Sequence, residues 1–295
     1  MSIYSWEEIL QRSRDLNSIL LNRKGLTTRL NFILATVIIL LMGCLPCCVR
    51  IRNNYEEKHI LVKSIKVLTL NMKASDSRHT REERVQPVVE LVKSESIDVL
   101  FLQEGTSGLV PGNSIGMLQT LLGNYDCFMR PSFGYWMFFQ YEIGLLSRFK
   151  FYKVDSAPCR IKSKEFVDNL FIPGRRRAIA GLSDVPGMGR VAFVSVHLDS
   201  SPVDETERMR QYEMLLEFLQ RLSTDIIILA GDFNAGLTNP GFKMLQDYGF
   251  EIVGSSIVDH ILVKGGRGIR SEVVFTDNYV SDHCGVFAEI TPYPK

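Results

Sequence analysis

The chain has 295 residues, 45% of them hydrophobic, and a formal net charge of +1. Length and apolar content together allow one large domain with a sizeable core. The near-neutral charge argues against a protein that holds nucleic acid through a broad basic surface, because such binding draws on many phosphate contacts; it does not exclude an enzyme that grips a few phosphates at one site.

Met1–Arg29 is polar and mixed in charge, with Trp6, Ile9, Leu10, Leu16 and Ile19 at loose helical spacing that suits a short amphipathic helix. The composition then changes abruptly. Leu30–Val49 carries no charged residue and is flanked by Arg29 and Arg50. At about 1.5 Å rise per residue such a helix spans the roughly 30 Å hydrocarbon core of a bilayer, so residues 30–49 are expected to be a transmembrane or signal-anchor helix. Leu41-Met42-Gly43-Cys44 resembles a bacterial lipobox, and Cys47 and Cys48 offer palmitoylation sites. Each version puts the protein at a membrane. Lys and Arg on both flanks set no orientation.

Residues 50–63 read as a polar linker, and the catalytic domain is expected over 64–295. Strands are predicted at Ile65–Leu70, Asp98–Leu102, Ile143–Leu146, Val191–Val196, Asp225–Ala230, Val258–Val263 and Val286–Ile290. Helices are predicted at Arg84–Ser94, where Val85, Val88, Val89 and Val92 share a side, and at Glu205–Arg221. This loose alternation indicates a layered α/β domain. Of the six cysteines, Cys127, Cys159 and Cys284 are scattered and read as buried free thiols, with no zinc-site spacing. The tract Phe133–Phe139 reads as a core strand, with a stacking platform or membrane-contacting loop as the sharper alternatives. Arg175 and Arg176 read as a solvated basic loop, and Lys264, Arg267 and Arg270 as surface charge.

Polar groups recur just past, or just before, these apolar strands: Asn71, Gln103 and Glu104, His197, Asp232 and Asn234, and Asp282 and His283. Strand ends in α/β sheets are where loops project polar groups over a rigid core. Three carboxylates and two amide oxygens are hard ligands suited to Mg²⁺. Two histidines suit proton transfer or hydrogen bonding to a phosphate oxygen. Together they describe metal-assisted phosphoryl transfer, although any one of them alone is more often a turn former, helix cap or structural hydrogen-bonder.

Thr69-Leu70-Asn71, Leu102-Gln103-Glu104, Val196-His197-Leu198, Gly231-Asp232-Phe233-Asn234 and Ser281-Asp282-His283 resemble the ordered motif series of the endonuclease/exonuclease/phosphatase superfamily. That group includes deoxyribonucleases, exonuclease III-type endonucleases, neutral sphingomyelinases and inositol polyphosphate 5-phosphatases. The resemblance spans roughly Ile65 to Ile290. It implies a four-layered α/β sandwich, two packed mixed sheets flanked by helices, and an Mg²⁺-dependent phosphoesterase (Mn²⁺ as substitute). It further implies Asn71, Glu104 and Asp282 as the metal residues. Asp232, held by Asn234, orients or deprotonates the attacking water; His197 and His283 contact the scissile phosphate, with Asp232 and His283 both candidates for the base. Asp259 in Val258-Asp259-His260 resembles the family's carboxylate that orients the final histidine. Glu142 resembles an acid paired with the earlier histidine, here His197, with Tyr141 as the alternative active-site residue. The expected substrate is a phosphodiester, nucleic acid ahead of a sphingomyelinase-like phospholipid, acted on by a monomeric catalytic domain.

Overall fold

The computed structural model describes residues 49–51, 61–73, 79–107, 113–135, 139–159, 176–200 and 205–294. The expected anchor helix, apart from Val49, and most of the expected linker lie outside the described residues. Among the described residues no helix is long and apolar enough to cross a membrane.

The strands are β1 (Val49–Ile51), β2 (Ile65–Asn71), β3 (Val99–Ser107), β4 (Asp126–Tyr135), β5 (Phe139–Ser147), β6 (Phe151–Pro158), β7 (Arg177–Val185), β8 (Gly189–His197), β9 (Ile226–Asp232), β10 (Glu251–Ser255), β11 (Asp259–Lys264), β12 (Gly266–Val274) and β13 (Gly285–Pro292). Four helices accompany them among the described residues: α1 (Arg81–Glu95), α2 (Ser114–Leu122), α3 (Glu205–Gln220) and α4 (Pro240–Asp247). One sheet has the order β1-β4-β5-β3-β2-β13-β12, and the other β10-β11-β9-β8-β7-β6.

The layering follows from which faces are apolar. Val67, Val99, Phe101, Ile143 and Val286 of the first sheet meet Ile179, Val191, Phe193, Ile228 and Ile261 of the second in one buried cluster. Phe101 and Phe193 cross this interface edge to face, with ring centroids 6.5 Å apart. The outer face of the first sheet packs on Val85, Val88, Val89 and Val92 of α1 and Ile115 and Leu118 of α2. The outer face of the second packs on Leu215, Phe218 and Leu219 of α3 and Phe242 and Leu245 of α4. Strands buried on both sides carry unbroken apolar runs: Ile226–Asp232 is buried at every position. The result is helix, sheet, sheet, helix.

Helix α1 begins three residues earlier than its valine periodicity indicates. Thr80 caps it: its hydroxyl accepts from the Glu83 N–H, and the Glu83 carboxylate accepts from the Thr80 N–H. Val49–Ile51, where the uncharged run was expected to give way to linker, instead adds an antiparallel edge strand to β4. An extended Val-Arg-Ile stretch can satisfy its backbone on that free edge. The aromatic tract is not one strand: Tyr135 faces Phe139 across the β4–β5 hairpin. Cys127 and Cys159 are buried free thiols, whereas Cys284, expected to be buried, is half-buried at the end of the sandwich that carries His283.

Candidate active site

Each sheet holds one parallel pair at its centre, β2 with β3 and β8 with β9, and each pair gains an antiparallel neighbour, β13 and β11. The register sets Asn71 beside Gln103 in the first sheet. In the second it sets His197 beside Asp232, and Asp232 beside Asp259. A bulge between Leu102 and Gly105 breaks the β3–β5 ladder, and Glu104 there adopts φ 50°, outside the regular strand geometry. Gly231, with φ 150°, lets β9 pass close to β8: a Cβ at this position would lie 2.0 Å from the Val196 carbonyl oxygen. That approach is what sets the His197 and Asp232 side chains together.

Asp232 is the hub. Its Oδ2 accepts from Asn71 Nδ2 at 3.0 Å, a bond that joins the two sheets. Its Oδ1 accepts from the Asn234 N–H at 2.8 Å. Asn234, also left-handed at φ 48°, sends its side-chain amide to the Leu198 carbonyl at 2.9 Å, tying the β8 and β9 loops. His283 Nδ1 lies 2.8 Å from Asp259 Oδ2. A carboxylate accepts only, so Nδ1 carries the proton and Nε2 is turned free of that bond. Asp259 is buried, and its Oδ1 has no hydrogen-bond partner among the described residues. His197 is fully buried; its Nε2 lies 3.4 Å from Asp232 Oδ2 and 3.7 Å from Glu104 Oε1. Arg176 lies over the same ring, its Nη1 2.8 Å from Nδ1 and in contact with Nε2, while its Nε reaches Asp199 at 3.4 Å.

Burial governs the titration of this cluster. It raises the Asp232 carboxyl to about 6, with the Asp259 charge adding to the rise and His283, the Asn234 N–H and Asn71 opposing it. Burial also raises Glu104, against the pull of Arg176 and Asn71. It raises Asp259, against the hydrogen bond from His283. For His283 burial acts downward, but the hydrogen bond and charge of Asp259, with Asp232 and Asp282, outweigh it and lift the imidazole to about 9. His197 is pushed far down by burial and by the positive charges of Arg176 and His283. At neutral pH the cluster therefore holds an ionised Asp232, a protonated His283 and a neutral His197.

The sequence model of the Endonuclease/Exonuclease/phosphatase family matches residues 68–283. The chain belongs to that family. No curated protein matches it. Among solved structures it is similar to an endonuclease/exonuclease/phosphatase from Beutenbergia cavernae DSM 12333, with TM-score 0.66 and 18% identity over 78% of this chain and 72% of the other. It is also similar to D. rerio TDP2 complexed with a single strand DNA product, TM-score 0.59 and 16% identity over 78% and 100%. A Bacteroides thetaiotaomicron mannosyl-6-phosphatase gives TM-score 0.60 and 17% identity over 77% and 99%. At these identities the shared property is the fold. Members of the family are hydrolases acting on phosphate esters.

The contacts above gather Asn71, Glu104, His197, Asp232, Asn234, Asp259 and His283 into one cluster at the strand ends. Family enzymes are generally dependent on a divalent metal, and the cleft fits a cation on its own chemistry. Three carboxylates, Glu104, Asp232 and Asp259, have their proton affinity raised by burial, and the Asp259 Oδ1 lacks a donor. Ligand atoms of Asp232, Asp259 and His283 lie within 4.8 Å of one another, but the His283–Asp259 hydrogen bond engages two of them, so the oxygen ligands left for an ion are those of Glu104 and Asn71 beside them, which hydrogen-bond each other. Asp282 stands apart in character: its side chain is 43% exposed and ion-paired with Lys73. Glu142 is buried on β5 opposite Gly105, and Tyr141 opposite Thr106, both flanking the bulge at Glu104.

The basic-loop reading of Arg176 is corrected: its side chain is only 14% exposed because it packs on His197 and pairs with Asp199. No local pattern separates it from Arg175 and Arg177. Arg84 was also missed. Its Nη1 donates to the Met72 and Lys73 carbonyls at 2.7 and 2.9 Å, pinning the loop that follows Asn71. The clue was its place one turn before Val88 on the valine side of α1. Beneath the cleft, Gln103 bridges the sheets: its Nε2 donates to Ser195 Oγ at 3.1 Å, and its Oε1 accepts from Thr69 Oγ1 at 3.4 Å.

Proposed function

We propose that the protein is a divalent-metal-dependent phosphodiesterase, with Mg²⁺ or Mn²⁺ as the ion and a nucleic-acid phosphodiester as the substrate. The observation that carries this reading is the gathering of Asp232, held from both sheets by Asn71 and Asn234, with His283, held by Asp259, at one end of the sandwich.

The ion would be held by Glu104, Asn71 and Asp282, the last exchanging its Lys73 partner for it. When bound it neutralises charge that develops on the phosphoryl oxygens. The remaining roles follow from the chain's own groups. Asp232 is the general base: it is ionised above about pH 6, and its two oxygens are oriented by Asn71 and Asn234. His283 suits that role less, because the hydrogen bond and charge of Asp259 raise its imidazole to about 9. Its Nε2–H instead donates to a phosphoryl oxygen, and the imidazolium charge stabilises the transition state. His197 stays neutral and offers a second contact, its ring orientation fixed by Arg176.

Two considerations favour nucleic acid. The fold is shared with a TDP2 that holds a single strand DNA product, and the strand-end motifs resemble those of deoxyribonucleases and exonuclease III-type endonucleases. A sphingomyelinase-like phospholipid phosphodiesterase is the alternative, favoured by the uncharged run Leu30–Val49. We infer that this run tethers the protein to a membrane. The reading is tested with the purified full chain on plasmid, single-stranded DNA, RNA, abasic duplex, sphingomyelin and inositol phosphates, with and without Mg²⁺. Metal-dependent cleavage of a nucleic acid is expected. Turnover of sphingomyelin alone would replace the substrate assignment, and no turnover of any phosphodiester would overturn the function.

A further inference from the structure

The segment between β12 and β13 carries two aromatic rings that the mechanism above does not use: Phe275, which packs against the cluster beneath α1, and Tyr279. Tyr279 lies three residues before Asp282. Its neighbours fix its direction. Asn278 turns the chain at φ 58°, and the Tyr279 N–H donates to Asp277 Oδ1 at 3.1 Å. Val280, next along, is buried in the cluster beneath α1, and Ser281 is fully buried, its Oγ accepting from the His283 N–H at 3.1 Å. The Tyr279 side chain is thus directed outward, 37% exposed, on the short stretch that ends in His283. It contacts the His79 ring, with centroids 4.2 Å apart and planes 39° apart. His79 in turn immediately precedes the capping residue of α1. Lys73, on the same β2–α1 connection, pairs with Asp282. The Tyr279–His79 contact thus joins the connection that ends in Asp282 and His283 to the β2–α1 connection, which also carries Lys73, the partner of Asp282.

We propose that Tyr279, backed by His79, is a stacking platform for a nucleobase adjacent to the phosphate in the cleft, which makes the substrate a nucleotidyl phosphodiester. This rests on the phosphodiesterase reading and narrows it. The physical case is that every base has a π-face, so a fixed tyrosine ring beside a cation gives affinity without sequence preference. A ring already held by its backbone and by His79 loses little rotamer freedom on binding.

The test compares two esters with the same leaving group in the full-length protein: thymidine 5′-(p-nitrophenyl phosphate) and methyl p-nitrophenyl phosphate. The parent is expected to favour the thymidine ester by about tenfold in kcat/KM, through KM, a ratio within the range that one stacked base provides. Tyr279→Ala should abolish that preference and Tyr279→Phe should retain it. Retention of the preference in Tyr279→Ala overturns the platform. So does an equal loss on p-nitrophenyl phosphorylcholine, which would mark the ring as a choline contact. Calorimetric binding of thymidine 5′-monophosphate against 2-deoxyribose 5-phosphate separates this proposal from the phosphodiesterase reading. If neither ester is hydrolysed, the platform stands or falls on whether Tyr279→Ala erases the calorimetric preference for the base-bearing ligand.

Discussion

At the scale of single residues, the account turns on charge held in a desolvated cleft. Asp259→Asn keeps the shape beside His283 but removes the charge that sustains its proton. We expect a smaller rate loss than for His283→Ala, together with a fall in the pH at which activity declines on the alkaline side, measured as a kcat/KM profile. The Asp232 carboxyl makes a stability prediction in metal-free protein. Its folded value of about 6 lies above its ordinary 3.8. The folded state therefore binds the proton more tightly than the unfolded one. The associated stability is present below about pH 4 and is lost as pH rises through about 6. Asp232→Asn removes that dependence, so the melting difference between variant and parent should move in the variant's favour from pH 4 to pH 8. Mg²⁺ should shrink that movement by relieving the buried charge in the parent. A difference that stays flat with pH would show that Asp232 is not held in a desolvated state.

At the scale of elements, the site is a property of strand register, and this is why so much of it was legible. Strands buried on both faces announce themselves as apolar runs, and the first polar residues past each run fall at the same end of its sheet: Asn71, Gln103 followed by Glu104, His197, Asp232. Other elements left weaker traces. β12 is an edge strand exposed at most positions, and its Arg270 pairs with both Glu272 and Glu95, so it reads as surface charge rather than as a strand. The start of α1 was written in Thr80-Arg81-Glu82-Glu83 but is invisible to hydrophobic periodicity. The contact of Arg176 with His197 depends on tertiary placement and has no local pattern. Register also yields a sharp prediction at Gly231, where φ is 150° and a Cβ would meet the Val196 carbonyl oxygen at 2.0 Å. Gly231→Ala should cost more than about 3 kcal/mol in denaturant unfolding, since backbone must move on both β8 and β9. A loss below about 1 kcal/mol would mean that the close approach of these strands is not needed.

At the scale of the whole molecule, the sandwich is closed by its two sheets packing apolar face to apolar face, while the proposed anchor precedes β1 and shares only Val49 with it. The layered architecture was legible because helix and strand periods alternate along the chain. Val49–Ile51 as a strand was not, because three residues carry no period. If Leu30–Val49 is the tether, full-length protein should sediment with membranes, and proteolytic removal of residues before Cys47 should release active enzyme, since no candidate site residue lies there. Cys44→Ser should abolish processing and anchoring only if the lipidated form is the correct one. Full-length protein found soluble in low detergent would contradict the tether.

The central claim, that this cleft cuts phosphodiesters with a divalent metal and with Asp232 and His283 as its working groups, is tested most directly by single-turnover hydrolysis measured beside the thermal midpoint. The assay compares parent, Asp232→Asn and His283→Ala, each with Mg²⁺ and after exhaustive chelation. The account predicts metal-dependent turnover in the parent and losses of about 10²- to 10⁴-fold or more in both variants, the size expected of general acid–base groups, in protein that remains folded. Undiminished turnover after chelation, or near-parent rates in both variants, would contradict it.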